Sequence, residues 1–141
     1  MQLQFLARHA RTVLFAMAVT LAVISGALLA GNGTASAGSC GAQAGKALYD
    51  CVANYLDHKA NMIGSVRGDP EAPVAARALQ TAASQLRAAT SKVQALSAIT
   101  QARSAISGII QQAKSGGRDS QGWGRLIGTL TEMASLIQKK G

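Results

Sequence analysis

From Val74 to Gly117 the chain reads VAARALQTAASQLRAATSKVQALSAITQARSAISGIIQQAKSGG, without a proline, an aromatic residue, an aspartate or a glutamate. Its fillers are Ala, Gln, Ser and Thr, and every charge in it is positive. Large aliphatics recur three and four residues apart, the spacing that places side chains on one face of an α-helix. A stretch of this kind cannot be a pleated strand, which needs a period of two. The chain is therefore read as all-α, with its shorter segments packed on a long amphipathic central helix.

The apolar positions of that helix run Leu79, Ala82, Leu86, Ala89, Val93, Leu96, Ile99, Ala102, Ile106, Ile109 and Ala113. Their spacing is heptad-like at both ends, with three consecutive threes from Val93 to Ala102. Such a stammer carries the buried face of the second half more than about 90° away from that of the first. The helix therefore either breaks near Ser97–Thr100 or stays continuous and changes partners there. Unbroken, it would be ~64 Å long. The expected fold is a small three-helix bundle with helices at about 45–67, 74–115 and 121–139; breaking the spine gives a four-helix bundle instead.

The first 37 residues read as a leader rather than as part of that bundle. Arg8 and Arg11 are followed by an apolar run from Thr12 to Ala30, a small polar patch, and Ala35-Ser36-Ala37. Positive, apolar and A-x-A regions in this order specify export with cleavage near Ala37, to the periplasm or the medium. The run is also long enough to be weighed as an uncleaved anchor, since spanning takes ~20 residues. Cleavage leaves residues 38–141 as one domain. Losing Arg8 and Arg11 reduces the 14 basic residues to 12 against 6 acidic ones, a net charge of +6. The aromatics left are Tyr49, Tyr55 and Trp123, so the core must rest on aliphatics and alanine.

In the first helical stretch Leu48, Val52, Tyr55, Met62, Ile63 and Val66 share one face. Cys40 and Cys51 flank its beginning. In one continuous helix they would lie ~16 Å apart, whereas a disulfide needs Cα atoms within ~7 Å. Gly41 and Gly45 allow Cys40 to leave the helix and fold back. An exported chain with two cysteines favours that Cys40–Cys51 bond, with intermolecular pairing as its rival. Gly68-Asp69-Pro70-Glu71-Ala72-Pro73 then ends the first helix and leads into the next. Ser115-Gly116-Gly117 stops the spine. Beyond it Trp123, Leu126, Ile127, Leu130, Met133 and Ile137 form the apolar stripe of a last helix closed by Lys139-Lys140.

Catalytic chemistry finds little material here. Beyond the leader there is one histidine, His58, and the six acids are Asp50, Asp57, Asp69, Glu71, Asp119 and Glu132. No phosphate loop, dinucleotide fingerprint or nucleophile elbow occurs. The chain is read as a non-enzyme with no cofactor. Cys51, Tyr55, His58 and Met62 do share a strip of the first helix, and each can ligate a metal or haem iron. The same spacing is an ordinary bundle face, so a small-ligand carrier ranks third among the functional readings.

Arg77, Arg87, Lys92, Arg103, Lys114 and Arg118 are the charges between Val74 and Arg118. Lys92, Arg103 and Lys114 lie eleven residues apart, nearly three whole turns, and would form a stripe ~33 Å long on an unbroken helix. The stripe could meet an anionic polymer, a membrane surface or an acidic protein. Nucleic acid is disfavoured by export and by the scarcity of aromatics for stacking. The leading expectation is a protein that works by helix-mediated contact in the cell envelope, as an accessory part of a secretion, conjugation or surface assembly. Binding of an anionic polymer or lipid surface ranks second, and homo-oligomerisation stays open.

Overall fold

A computed structural model describes residues 37–141. The expected leader, up to Ser36, lies outside the described residues. A 3-10 turn at Ala37–Ala42 precedes four helices: α1 at Gly45–Gly64, α2 at Ala72–Ala88, α3 at Lys92–Ser115 and α4 at Gln121–Lys140. Consecutive helices pack side by side, and α4 returns against α1. The protein is thus an all-α four-helix bundle. One pole holds the Ala37–Ala42 turn, the α2–α3 turn and the end of α4. The other holds the α1–α2 and α3–α4 connections.

The single long central helix is corrected. The spine breaks at Ala89-Thr90-Ser91, between α2 and α3, well before the expected position, and it is continuous through Leu96–Ala102. The cause is local hydrogen bonding. Ser91 has an extended backbone and its Oγ accepts from the Gln94 amide at 3.3 Å. Gln94 Oε1 in turn accepts from the Thr90 amide at 2.8 Å. This reciprocal pattern satisfies free donors at a new helix start and so competes with continuation.

The break also removes the stammer. Val93 was placed on the buried face, yet it is 77% exposed. Ala95, Ala98, Ile99, Ala102, Ile106, Ile109 and Ala113 are the buried positions of α3, a regular stripe. On α2 the buried set is Ala72, Ala75, Ala76, Leu79, Ala82, Ala83 and Leu86. Alanines occupy much of the interface, and large aliphatics such as Leu48, Leu56, Leu79, Leu86, Ile99, Ile106, Leu130 and Ile137 fill the centre. Each of these, fully buried, contributes ~1.5–3 kcal/mol relative to exposure.

Other expectations stand close to the observed fold. α1 packs along α2 and α4 along α3, so the shorter segments lie against the two halves of the expected spine. α1 ends at Gly64, a turn short of Arg67, and Gly68 takes φ 86°, a left-handed conformation open to glycine at little cost. α3 ends in a left-handed Gly117 at φ 68°, with the Gly117 amide donating to Lys114 O at 3.1 Å and the Arg118 amide to Ala113 O at 2.8 Å. Those two bonds are a Schellman stop. Cys40 leaves the helix as expected and bonds Cys51, with their Cα atoms 5.6 Å apart. Closing that short loop stabilises the fold by ~2–3 kcal/mol in the chain-entropy model.

Candidate functional site: the groove between α1 and α4

α1 presents a wider apolar arc than α2 can cover. Its first half is sealed: Leu48, Tyr49, Val52, Tyr55 and Leu56 are buried. Its last turns are not. Met62 is 51% exposed and Val66, just past the helix end, is 52% exposed. Opposite them the first turn of α4 carries Gly122, and a Cβ built on it meets nothing within 4 Å. Without a side chain there, α4 leaves α1 partly uncovered.

The result is a groove running down the seam to the loop pole. Its upper part, about 310 Å³, is walled by Tyr55, Lys59, Met62, Ile63 and Val66 from the α1 side and by Gly122, Arg125, Leu126 and Thr129 from α4. Its lower part, about 450 Å³, continues past Ile63 and Val66 to Asp69, Ala72, Asp119 and Trp123. Tyr55 and Leu126 are buried, while Ile63 and Trp123 are partly buried against the core. The Lys59 ammonium stands 5.4 Å from the centroid of the Tyr55 ring, within cation–π range. A second depression of about 540 Å³ lies between α2 and α3, but Val74 is the large aliphatic in its lining. The α1–α4 groove gathers more large apolar side chains and places cations on both walls.

The loop pole below the groove is held by polar contacts. The Arg118 guanidinium donates to the Glu71 carboxylate, joining the α3–α4 connection to the start of α2. Glu71 is 6% exposed. Asp69 Oδ1 accepts from the Glu71 amide and Asp119 Oδ1 from the Gln121 amide, each at 2.9 Å. Asp69 therefore caps its own connection rather than acting as the N-cap of α2, which begins at Ala72.

The residues singled out in the sequence are dispersed. Cys51 is in the disulfide. Tyr55 and Met62 line the groove, while His58 is exposed outside it. Among the described residues no group of three His, Cys, Asp or Glu side chains is placed to hold a metal. Lys92, Arg103 and Lys114 do share the unbroken α3, but in different settings. The Lys92 ammonium donates to Gln138 O at 3.0 Å. Arg103 is half-buried, and its Nε is buried without a hydrogen-bond partner. Lys114 is exposed near the C-terminal end of α3. Arg87 is drawn off to α1, where it donates to Asp57 at 2.5 Å and Asn54 at 2.9 Å.

Lys59, Arg125, Gly122 and Trp123 were missed as groove residues. Periodicity shows which face of α1 is apolar but carries no signal of how much of it a neighbour covers.

No protein-family model, curated protein or solved structure matches the chain. The class defined by fold and site is a disulfide-pinned four-helix bundle with one open apolar seam. Among the described residues no helix is long and apolar enough to cross a membrane.

Proposed function

We propose that the protein is a non-enzymatic, exported helical protein that acts by contact with another protein of the cell envelope, as an accessory part of a secretion, conjugation or surface assembly. The α1–α4 groove is the contact surface. The observation that carries this reading is the half-exposed pair Met62 and Val66 beside Ile63 and Trp123. Scattered exposed aliphatics need no explanation, whereas apolar side chains gathered in a groove mark an interaction surface. The leader-like N-terminus supports the envelope as the place of work.

Site-specific photo-crosslinking in the host tests it. A photoreactive residue at Met62 or Val66 yields a discrete protein adduct, and one at Gln111 on the exposed side of α3 does not. The adduct is lost when Val66→Asp is combined with the probe at Met62. Equal labelling from all three positions would sink the reading.

A second reading keeps the anionic surface as partner, supported by the continuity of α3 from Lys92 to Lys114. It predicts retention on an anionic matrix that weakens steeply between 50 and 300 mM salt, on the order of the Debye screening change. Triple substitution of Lys92, Arg103 and Lys114 by Glu abolishes that retention.

A further inference from the structure

The walls of the groove carry a charge pattern that specifies its occupant. Lys59 projects from α1 and Arg125 from α4, and both border the same apolar depression. The ion pairs among the described residues are Lys46–Asp50, Arg87–Asp57 and Arg118–Glu71, so neither wall cation is neutralised by a carboxylate. The two acids at the lower end, Asp69 and Asp119, accept main-chain amides of their own connections. An apolar strip thus runs between two cations that pair with no carboxylate, with the two acids confined to its lower end.

We infer that the groove takes an amphipathic helix of a partner protein, with an apolar ridge flanked by carboxylates on both sides. The assignment rests on the contact reading above. Three features point to a helix. The strip from Tyr55 to Val66 is about 16 Å long, three helical turns. Two helices form the walls and offer no free main-chain ladder, so an extended peptide would bury unpaired amides there, whereas a helix satisfies its own. Gly122 leaves the α4 backbone open to an incoming side chain, since a Cβ there meets nothing within 4 Å. The cations argue against a lipid chain as the occupant. They stand midway along opposite walls, where they match two flanks of a ridge, rather than together at one end where a single headgroup would sit.

Trp123 is the single tryptophan of the chain and borders the groove, so its emission reports occupancy. The probes are three synthetic helical peptides of equal length with one leucine ridge, flanked by Glu, Gln or Lys, titrated into the protein recovered from its own host. The Glu-flanked peptide shifts Trp123 emission saturably, at concentrations about tenfold below the Gln-flanked one, as two partly screened ion pairs would give. The Lys-flanked peptide does not compete. Lys59→Glu with Arg125→Glu, both surface changes, inverts the order, and an unchanged far-UV spectrum shows that the fold is retained. A wild-type protein that binds the Lys-flanked peptide as well as the Glu-flanked one overturns the assignment, as does an order that survives the double reversal. Anionic phospholipid vesicles that shift Trp123 while no peptide does would make the groove a lipid face instead. If the Met62 adduct forms in the host but the Glu-flanked peptide fails, the acidic helix alone is wrong. If no adduct forms, the contact reading falls and this assignment with it.

Discussion

The same two helices, α1 and α4, meet in different ways at their two ends. At the pole of the Ala37–Ala42 turn Cys40 is bonded to Cys51, the Lys140 ammonium donates to Gly41 O, Lys92 donates to Gln138 O, and Leu48, Tyr49 and Ile137 are buried. At the loop pole the tie is one ion pair, Arg118 to Glu71, and Met62 and Val66 stand half-exposed above it. One end is closed by a covalent bond and large apolar side chains. The other is bordered by Gly122 and held from below by polar groups. A small bundle with an alanine-rich core can leave an apolar seam open at one end because the other end is fixed independently.

The largest effect should come from opening the sealed end. Ile137 is fully buried, so Ile137→Ala removes apolar contact and leaves a cavity, costing ~3 kcal/mol in chemical denaturation. A cost under ~1 kcal/mol would mean that the pole is not the packed end of the seam. Next comes the disulfide. Reduction, or Cys40→Ser with Cys51→Ser, lowers stability by ~2–3 kcal/mol through the freed unfolded chain. Trp123, at the other end, should keep its emission maximum in the reduced folded protein. A shift on reduction would show that the two ends are coupled, and would break the contrast drawn above.

At the open pole the tie is polar, and the expected loss is smaller. Arg118→Ala leaves the Glu71 carboxylate buried without its cation, at a cost of ~1–3 kcal/mol. The exposed Lys46–Asp50 pair is the internal control. Its side chains are about half exposed, and Lys46→Ala should change stability by less than ~0.5 kcal/mol. Glu71→Gln combined with Arg118→Ala should recover part of the loss, because an amide tolerates burial better than an unpaired charge. Equal costs for Arg118→Ala and Lys46→Ala would remove the clamp from the account.

The sealed end was legible in the sequence and the open end was not. Cys40 and Cys51 with Gly41 and Gly45 between them favoured the fold-back over its rival, pairing between chains. Gly117 marked the stop of α3 by its left-handed preference. The α2–α3 break was hidden for a physical reason. Ala89-Thr90-Ser91 contains neither glycine nor proline, and Ser91 with Gln94 announces a helix start only through a side-chain bond that spacing by large aliphatics ignores. Val93 was assigned to the core on that same spacing, while Ala95 and Ala98, which lie off that register, are the residues inside. The groove escaped notice because periodicity shows which face of α1 is apolar but not how much of it a neighbour covers. Coverage depends on Gly122 of a helix far along the chain.

The smallest stability effect carries the most information about the open end. Met62 and Val66 are half-exposed, so replacing either by serine removes little that folding had buried, and stability should stay within ~0.5 kcal/mol of the parent. Their exposed apolar area is then available to a partner instead, and a fully desolvated contact there would be worth ~1–2 kcal/mol per side chain. Met62→Ser should therefore leave the denaturation midpoint in place while weakening the Glu-flanked peptide by about tenfold. The reverse outcome, a loss of stability with unchanged peptide affinity, would mean that α4 covers this turn in solution. The seam would then be sealed at both ends.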